Sequence, residues 1–233
     1  MLSIIIPTLN EEKNLLALLE SIKKQGFSDY EIIVADAGSK DATVSIAQQY
    51  GCAVCEGGLP AKARNNGSKI AKGNVLFFLD ADTLLADNFL QKTMDEFARR
   101  RLTVASFKLK SQPHSAFEDF LLDAGYNWMM VALENVLAHG ATGIVIEKSS
   151  FEQLSGYDET ITLAEDHDLV RRAAKIGKFG VIRSVNLYMS TRRFKKDGWI
   201  TTGIKFFLCQ LHMIFLGPVR SNIFSYKFNH YQK

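Results

Sequence analysis

Short apolar runs alternate with amphipathic stretches along the first hundred residues. Residues 2–7 are mostly apolar, as in a strand buried on both faces. Residues 11–25 place Leu15, Leu18, Leu19 and Ile22 at helical spacing, with an acidic first turn and lysines in the last that suit the helix dipole. The pattern continues with strands over 31–35, 52–56 and 74–79 and helices over 43–50 and 61–71. It predicts an α/β fold: a Rossmann-like, mostly parallel sheet flanked by helices. The second half is less regular, with a long helix predicted over 116–138, a strand over 144–147 and a helix over 166–176.

Residues 199–219 are strongly apolar, carrying Phe206, Phe207, Leu208, Leu211, Met213, Ile214, Phe215 and Leu216, interrupted by Lys205 and His212. A spanning helix needs roughly 20 predominantly apolar residues. The interruptions favour instead a helix lying on a membrane surface or against a second copy of the chain, with burial in the core as the alternative. Arg192, Arg193, Lys195 and Lys196 beside it favour the membrane surface.

A chain of 233 residues, 47% hydrophobic, can build one large α/β domain. Its formal charge of +3 is too diffuse to suggest a nucleic-acid partner. Three cysteines give no disulfide framework, and the apolar strand at the start leaves no room for a signal peptide, so a cytoplasmic setting is expected. Cys52 and Cys55 form a C-x-x-C in a β-like run without a second pair to complete a metal site, and read as ordinary strand cysteines.

In open α/β sheets, ligands bind beyond the carboxyl ends of the strands. Here those ends are polar: Pro7-Thr8-Leu9-Asn10-Glu11, Asp36-Ala37-Gly38-Ser39-Lys40-Asp41, and Asp80-Ala81-Asp82. A turn at Asp80-Ala81-Asp82 would let two carboxylates serve one divalent cation, since Mg²⁺ takes carboxylates together with substrate phosphates. Asp36 is placed to accept hydrogen bonds from a base or ribose, whereas Asp41 reads as the cap of the next helix. Arg64 could be a solvated helix residue, but beside an acidic rim it suits a diphosphate.

These segments, with Ala63-Arg64-Asn65, Gly156-Tyr157-Asp158-Glu159 and Glu165-Asp166-His167-Asp168-Leu169, stand in an order that resembles family-two glycosyltransferases across residues 1–187. The resemblance implies a GT-A fold over 1–195, with a nucleotide-sugar half at 1–109, an elaborated acceptor half at 110–195, and an apolar helical segment at 196–233. It places Pro7, Thr8, Asn10, Glu11, Asp36, Gly38, Arg64 and Asp80 around the nucleotide and Asp82 on a divalent metal, Mn²⁺ or Mg²⁺. Asp166 becomes the catalytic base, with Glu165 beside it; the alternative for Asp166 is a carboxylate that caps the helix over 166–176, and one residue can do both. His139 and Gly140 are assigned towards the donor sugar, with a satisfied structural histidine as the equal alternative for His139, and Arg192, Arg193 and Trp199 are assigned towards the diphosphate or acceptor. Some relatives carry a metal-ligating His in the C-terminal arm; here none stands between Leu187 and Trp199.

The function implied is inverting, metal-dependent transfer from a nucleoside diphosphate sugar to a hydroxyl acceptor, lipid-linked if 199–219 meets a membrane. The alternatives are transfer to a polyprenyl or dolichyl phosphate, a nucleotidyltransferase, and a non-catalytic sugar-nucleotide-binding module.

Overall fold

The computed structural model describes residues 1–220, with the side chains of Ile200, Phe206 and Ile214 left out. Of the predicted apolar segment 196–233, residues 221–233 therefore lie outside the described residues. The chain runs β1 (Leu2–Thr8), α1 (Glu12–Lys23), β2 (Tyr30–Asp36), α2 (Thr43–Gln49), β3 (Ala53–Glu56), α3 (Pro60–Ile70) and β4 (Val75–Leu79). There follow β5 (Thr83–Leu85), α4 (Phe89–Arg99), β6 (Val104–Gln112), α5 (Ala116–Leu122), a π-helical turn (Asp123–Asn127) and α6 (Trp128–Ala132). The last elements are β7 (Gly143–Glu147), α7 (Lys148–Gln153), α8 (Glu165–Ile176), β8 (Phe179–Ser190), α9 (Arg192–Asp197) and α10 (Trp199–Phe215).

The described strands form one sheet in the order β3-β2-β1-β4-β7-β6-β8-β5. Strands β1 to β4 pair in parallel, as the alternation predicts, while β7 is antiparallel to β4 and β6, and β5 is antiparallel to β8. Because side chains alternate across a strand, β1 feeds both faces. Ile4 and Ile6 join Phe77, Leu79 and the α1 leucines in one core, while Ile5 joins Leu76 and Phe78 in the other. Each such fully buried side chain stabilises the fold by about 1.5–3 kcal/mol. α3 lies so close to β1 that a Cβ on Gly67 would meet Ile5 Cγ2 at 2.5 Å.

The predicted helix over 116–138 runs unbroken only from Ala116 to Ala132, and its middle turn is π-helical. Asn127 turns its amide onto the backbone of β6, accepting from Leu109 N at 2.7 Å and donating to Leu109 O at 2.8 Å. This tether coincides with the π-helical turn, and the helical run stops at Ala132. Cys52 and Cys55 are free, and burial raises both thiols, Cys52 to about 11, which agrees with unreactive side chains.

Candidate active site

The carboxyl ends of β1, β2 and β4 form one polar rim whose loops are tied to one another. Asn10, at φ 54, donates its backbone N–H to Ser39 Oγ at 2.8 Å and accepts from Lys40 N at 2.8 Å. Glu11 N donates to Thr43 Oγ1 at 2.8 Å, and Asp41 accepts from Glu12 N at 3.1 Å and Thr43 N at 3.0 Å. Asp41 thus serves the start of α2, one position ahead of the cap residue Ala42.

Asp36 accepts from Thr8 Oγ1, Gly38 N, Ser39 N and Ser39 Oγ at 3.1, 2.9, 2.8 and 2.5 Å. A carboxylate offers about four acceptor positions. Asp36 therefore organises the turn that carries Gly38, at φ 90, and one of these bonds must yield before it can receive a base or ribose.

At the end of β4 the chain does turn. Asp80 O accepts from Thr83 Oγ1 at 2.7 Å, and Asp82 O accepts from Ser190 N at 3.2 Å, which fastens the motif to the end of β8. Burial, followed by the charges of Asp80 and Glu11, raises the Asp82 carboxyl to about 6, although Arg192 and Arg193 pull the other way. Burial also raises Glu11. Carboxylates crowded in this way gain from a bound cation. Asp82 keeps 31% of its side chain exposed, so it has an open side for one. Among the described residues no third carboxylate, histidine or cysteine completes a protein cage. Two carboxylates with open coordination fit a hard cation that completes its shell from phosphates and water.

Arg64 is the centre of the site, and its placement differs from the sequence expectation. Instead of facing the rim as a loose cation, its guanidinium is buried with 5% of the side chain exposed. It reaches Asp80 Oδ1 at 2.8 Å, Glu165 Oε1 at 2.6 Å and Asp166 Oδ1 at 3.2 Å, over the ring of Tyr157 at 5.3 Å. One side chain on α3 therefore joins the end of β4 to the first turn of α8. The helix begins at Glu165, after Ala164 at φ 63, so Asp166 lies inside its first turn and is not the capping residue. Burial raises the Asp166 carboxyl well above the ordinary range, with Arg64 opposing and Glu165 and Asp80 reinforcing the shift.

Asn65 has a role that the sequence reading did not assign. Its amide accepts from Tyr157 N and donates to Tyr157 O, each at 2.9 Å, clamping the loop that carries the Tyr157 ring. The only sequence signal was its place beside Arg64 in Ala63-Arg64-Asn65.

His139 is buried, and its ring lies against His167 with centroids 3.8 Å apart. Burial lowers its pKa to about 4 and also lowers His167, so both are neutral, and the Nδ1 atom of each is buried without a hydrogen-bond partner among the described residues. Gly140 contributes through its backbone: an added Cβ would meet Asp166 O at 2.6 Å, so glycine permits this close approach. Arg192 Nη2 stands 3.6 Å from Asp82 Oδ2, and Arg193 is close enough to lower the same carboxyl. Trp199 is half-buried and stacks on Phe194 with centroids 4.4 Å apart, supporting the arm from behind. Pro7 and Thr8 close β1 at the rim, with Thr8 committed to Asp36.

The comparisons agree with this architecture. Residues 3–137 match the family described as glycosyl transferase family 2. The chondroitin synthase of Escherichia coli is 25% identical over 197 residues, covering 79% of this chain and 28% of that protein. The Staphylococcus aureus poly(ribitol-phosphate) beta-N-acetylglucosaminyltransferase TarS is 30% identical over 132 residues, covering 50% of this chain and 23% of that one. A crystal structure of S. aureus TarS 1-349 in complex with UDP superposes with a TM-score of 0.67 at 23% identity, over 81% of this chain and 60% of that one. The mannosyltransferase PcManGT of Pyrobaculum calidifontis, in complex with GDP-Man and Mn2+, superposes with a TM-score of 0.70 at 21% identity, over 90% and 61%.

The fold is therefore GT-A. The chain belongs to glycosyl transferase family 2. It spans only part of the length of the curated relatives it matches.

Proposed function

We propose that the chain transfers a sugar from a nucleoside diphosphate sugar to a hydroxyl acceptor, with inversion at the anomeric carbon. The observation that carries this reading is the arrangement at Arg64: Asp80 at the end of β4 and the part-buried Asp166 of α8 are held by one guanidinium. The acceptor oxygen bonds to the anomeric carbon as the bond from that carbon to the phosphate oxygen breaks. The hydroxyl proton passes to Asp166, and the diphosphate leaves with the electron pair. A single displacement inverts the configuration.

Burial makes Asp166 a better proton acceptor than an ordinary carboxylate, which suits general-base work. A phosphate acceptor is already ionised and needs no such group, so the base favours a hydroxyl. The acidic loop after β1 disfavours a nucleotidyltransferase, and the retained Asp80, Asp82, Glu165 and Asp166 disfavour a passive binding module. Arg192 and Arg193 stand beside Asp82, where negative charge grows on the departing diphosphate. A divalent cation on Asp80 and Asp82, Mn²⁺ or Mg²⁺, would offset the same charge. Donors of the kinds carried by the neighbours' complexes, UDP-GlcNAc and GDP-Man, are the first to try.

Proton NMR of the reaction tests the proposal. With an α-linked donor, Mn²⁺ and a hydroxyl acceptor, a β-linked product is expected. An α-linked product, or transfer to a polyprenyl phosphate alone, would overturn the assignment.

A further inference from the structure

α10 is apolar on two opposite faces, and the described residues cover only one of them. Cys209 and Met213 are buried, packing with Val219 against Leu163 and Ala164, and Arg171 Nη1 donates to Met213 O at 3.2 Å. Ile204, Phe207, Leu208 and Phe215, related by steps of three, four and eleven residues, lie together on the other side. They are open to solvent, Phe207 by 63% and Phe215 by 78%. The helix has 17 residues and so is about 25 Å long. No described helix is long and apolar enough to cross a membrane.

α10 itself carries Lys205, which is exposed, and no Asp or Glu. Lys195 and Lys196 are exposed just before the helix. Thr191 and Lys195 tie α9 to α5 through Glu118, at 2.9 and 3.4 Å, and α5 exposes Phe117 and Phe120.

We infer that this face docks on an anionic membrane surface. Two copies meeting through α10 would bring their lysines together with no carboxylate on the helix to match them. Anionic lipid headgroups neutralise the lysines while the exposed Phe and Leu side chains enter the boundary region. The covered face of the same helix touches Ala164, the residue before Glu165 and Asp166. A docked α10 thus holds the base beside the membrane surface, which, on the reading above, suits an acceptor presented from the lipid.

Flotation of the full chain with mixed phosphatidylcholine–phosphatidylglycerol vesicles, and with phosphatidylcholine alone, tests this. The chain is expected to float with the anionic vesicles, less so at high salt. The double variant Phe207→Glu, Phe215→Glu is expected to lose on the order of tenfold or more in partitioning. Both positions are exposed, so UDP or GDP binding measured by calorimetry should survive, confirming that the variant folds. A wild-type chain that stays unbound, a double variant that floats equally well, or a solution dimer dissolved by these substitutions would each overturn the inference. Because nucleotide binding is read separately, failure here leaves the transferase assignment standing.

Discussion

Asp166→Asn is expected to lower the turnover of sugar transfer by on the order of 10²–10⁴-fold, the usual contribution of a positioned general base. The substitution keeps the shape of a part-buried residue in the first turn of α8, whose side chain is 17% exposed. Its amide can still meet Arg64 with its oxygen, but it cannot take up the acceptor proton. Donor affinity should therefore match the parent, because the substitution leaves the proposed nucleotide contacts at the ends of β1, β2 and β4 unchanged. Steady-state kinetics with a hydroxyl acceptor, paired with calorimetry of donor binding, separates these quantities. The wild-type rate should also fall as the pH drops and Asp166 takes a proton, whereas the residual rate of the variant should lack that limb. If the Asn variant turns over within about threefold of wild type, Asp166 is not the base, and Glu165 or an ionised acceptor becomes the reading.

The second large effect concerns Arg64, through stability as well as rate. Arg64→Met fills much of the same volume but leaves Asp80, Glu165 and Asp166 facing one another without their shared cation. Removing one partner of a buried ion pair typically costs about 3–5 kcal/mol. For a chain of this size that corresponds to a fall in Tm of roughly 6–20 °C. The deficit should shrink as the pH is lowered, because protonation removes the repulsion among the carboxyls left behind. Scanning calorimetry across neutral and acidic pH gives the answer. A Tm within a degree or two of the parent would mean that the guanidinium is not the tie that joins the two sides of the site.

The sheet was legible where burial is simple. β1 and β4 are covered on both faces and read as unbroken apolar runs, and α1 shows its buried leucines at regular spacing. β6 was harder to see because it mixes Lys108 and Lys110 with apolar residues and shifts register after Phe107. The helix over 116–138 was overdrawn past Ala132, and no helical pattern reports the π-helical turn where Asn127 bonds the backbone of β6.

For the site, chemistry was easier to find than orientation. Asp80, Asp82, Glu165 and Asp166 announced themselves by type and by position after strands or at a helix start. That Arg64 would turn inwards is a property of the closed fold, since its three partners are 16, 101 and 102 positions away in sequence. That the His139 ring would lie against His167 is likewise set by the closed fold, since the two are 28 positions apart in sequence.

The central claim is that Asp80 and Asp82 bind a nucleoside diphosphate through a divalent cation. Isothermal titration of UDP and GDP into the protein with and without Mn²⁺, at several pH values, tests it most directly. Because a raised carboxyl holds its proton below its pKa, and a protonated Asp82 is a poor ligand, Mn²⁺-dependent affinity should rise with pH through about 6. Asp82→Asn should lose the metal dependence at every pH. Tight, Mn²⁺-dependent binding of at least one nucleotide with that pH profile is the predicted result; equal affinity with and without metal, or an Asp82→Asn variant that binds like the parent, would contradict it.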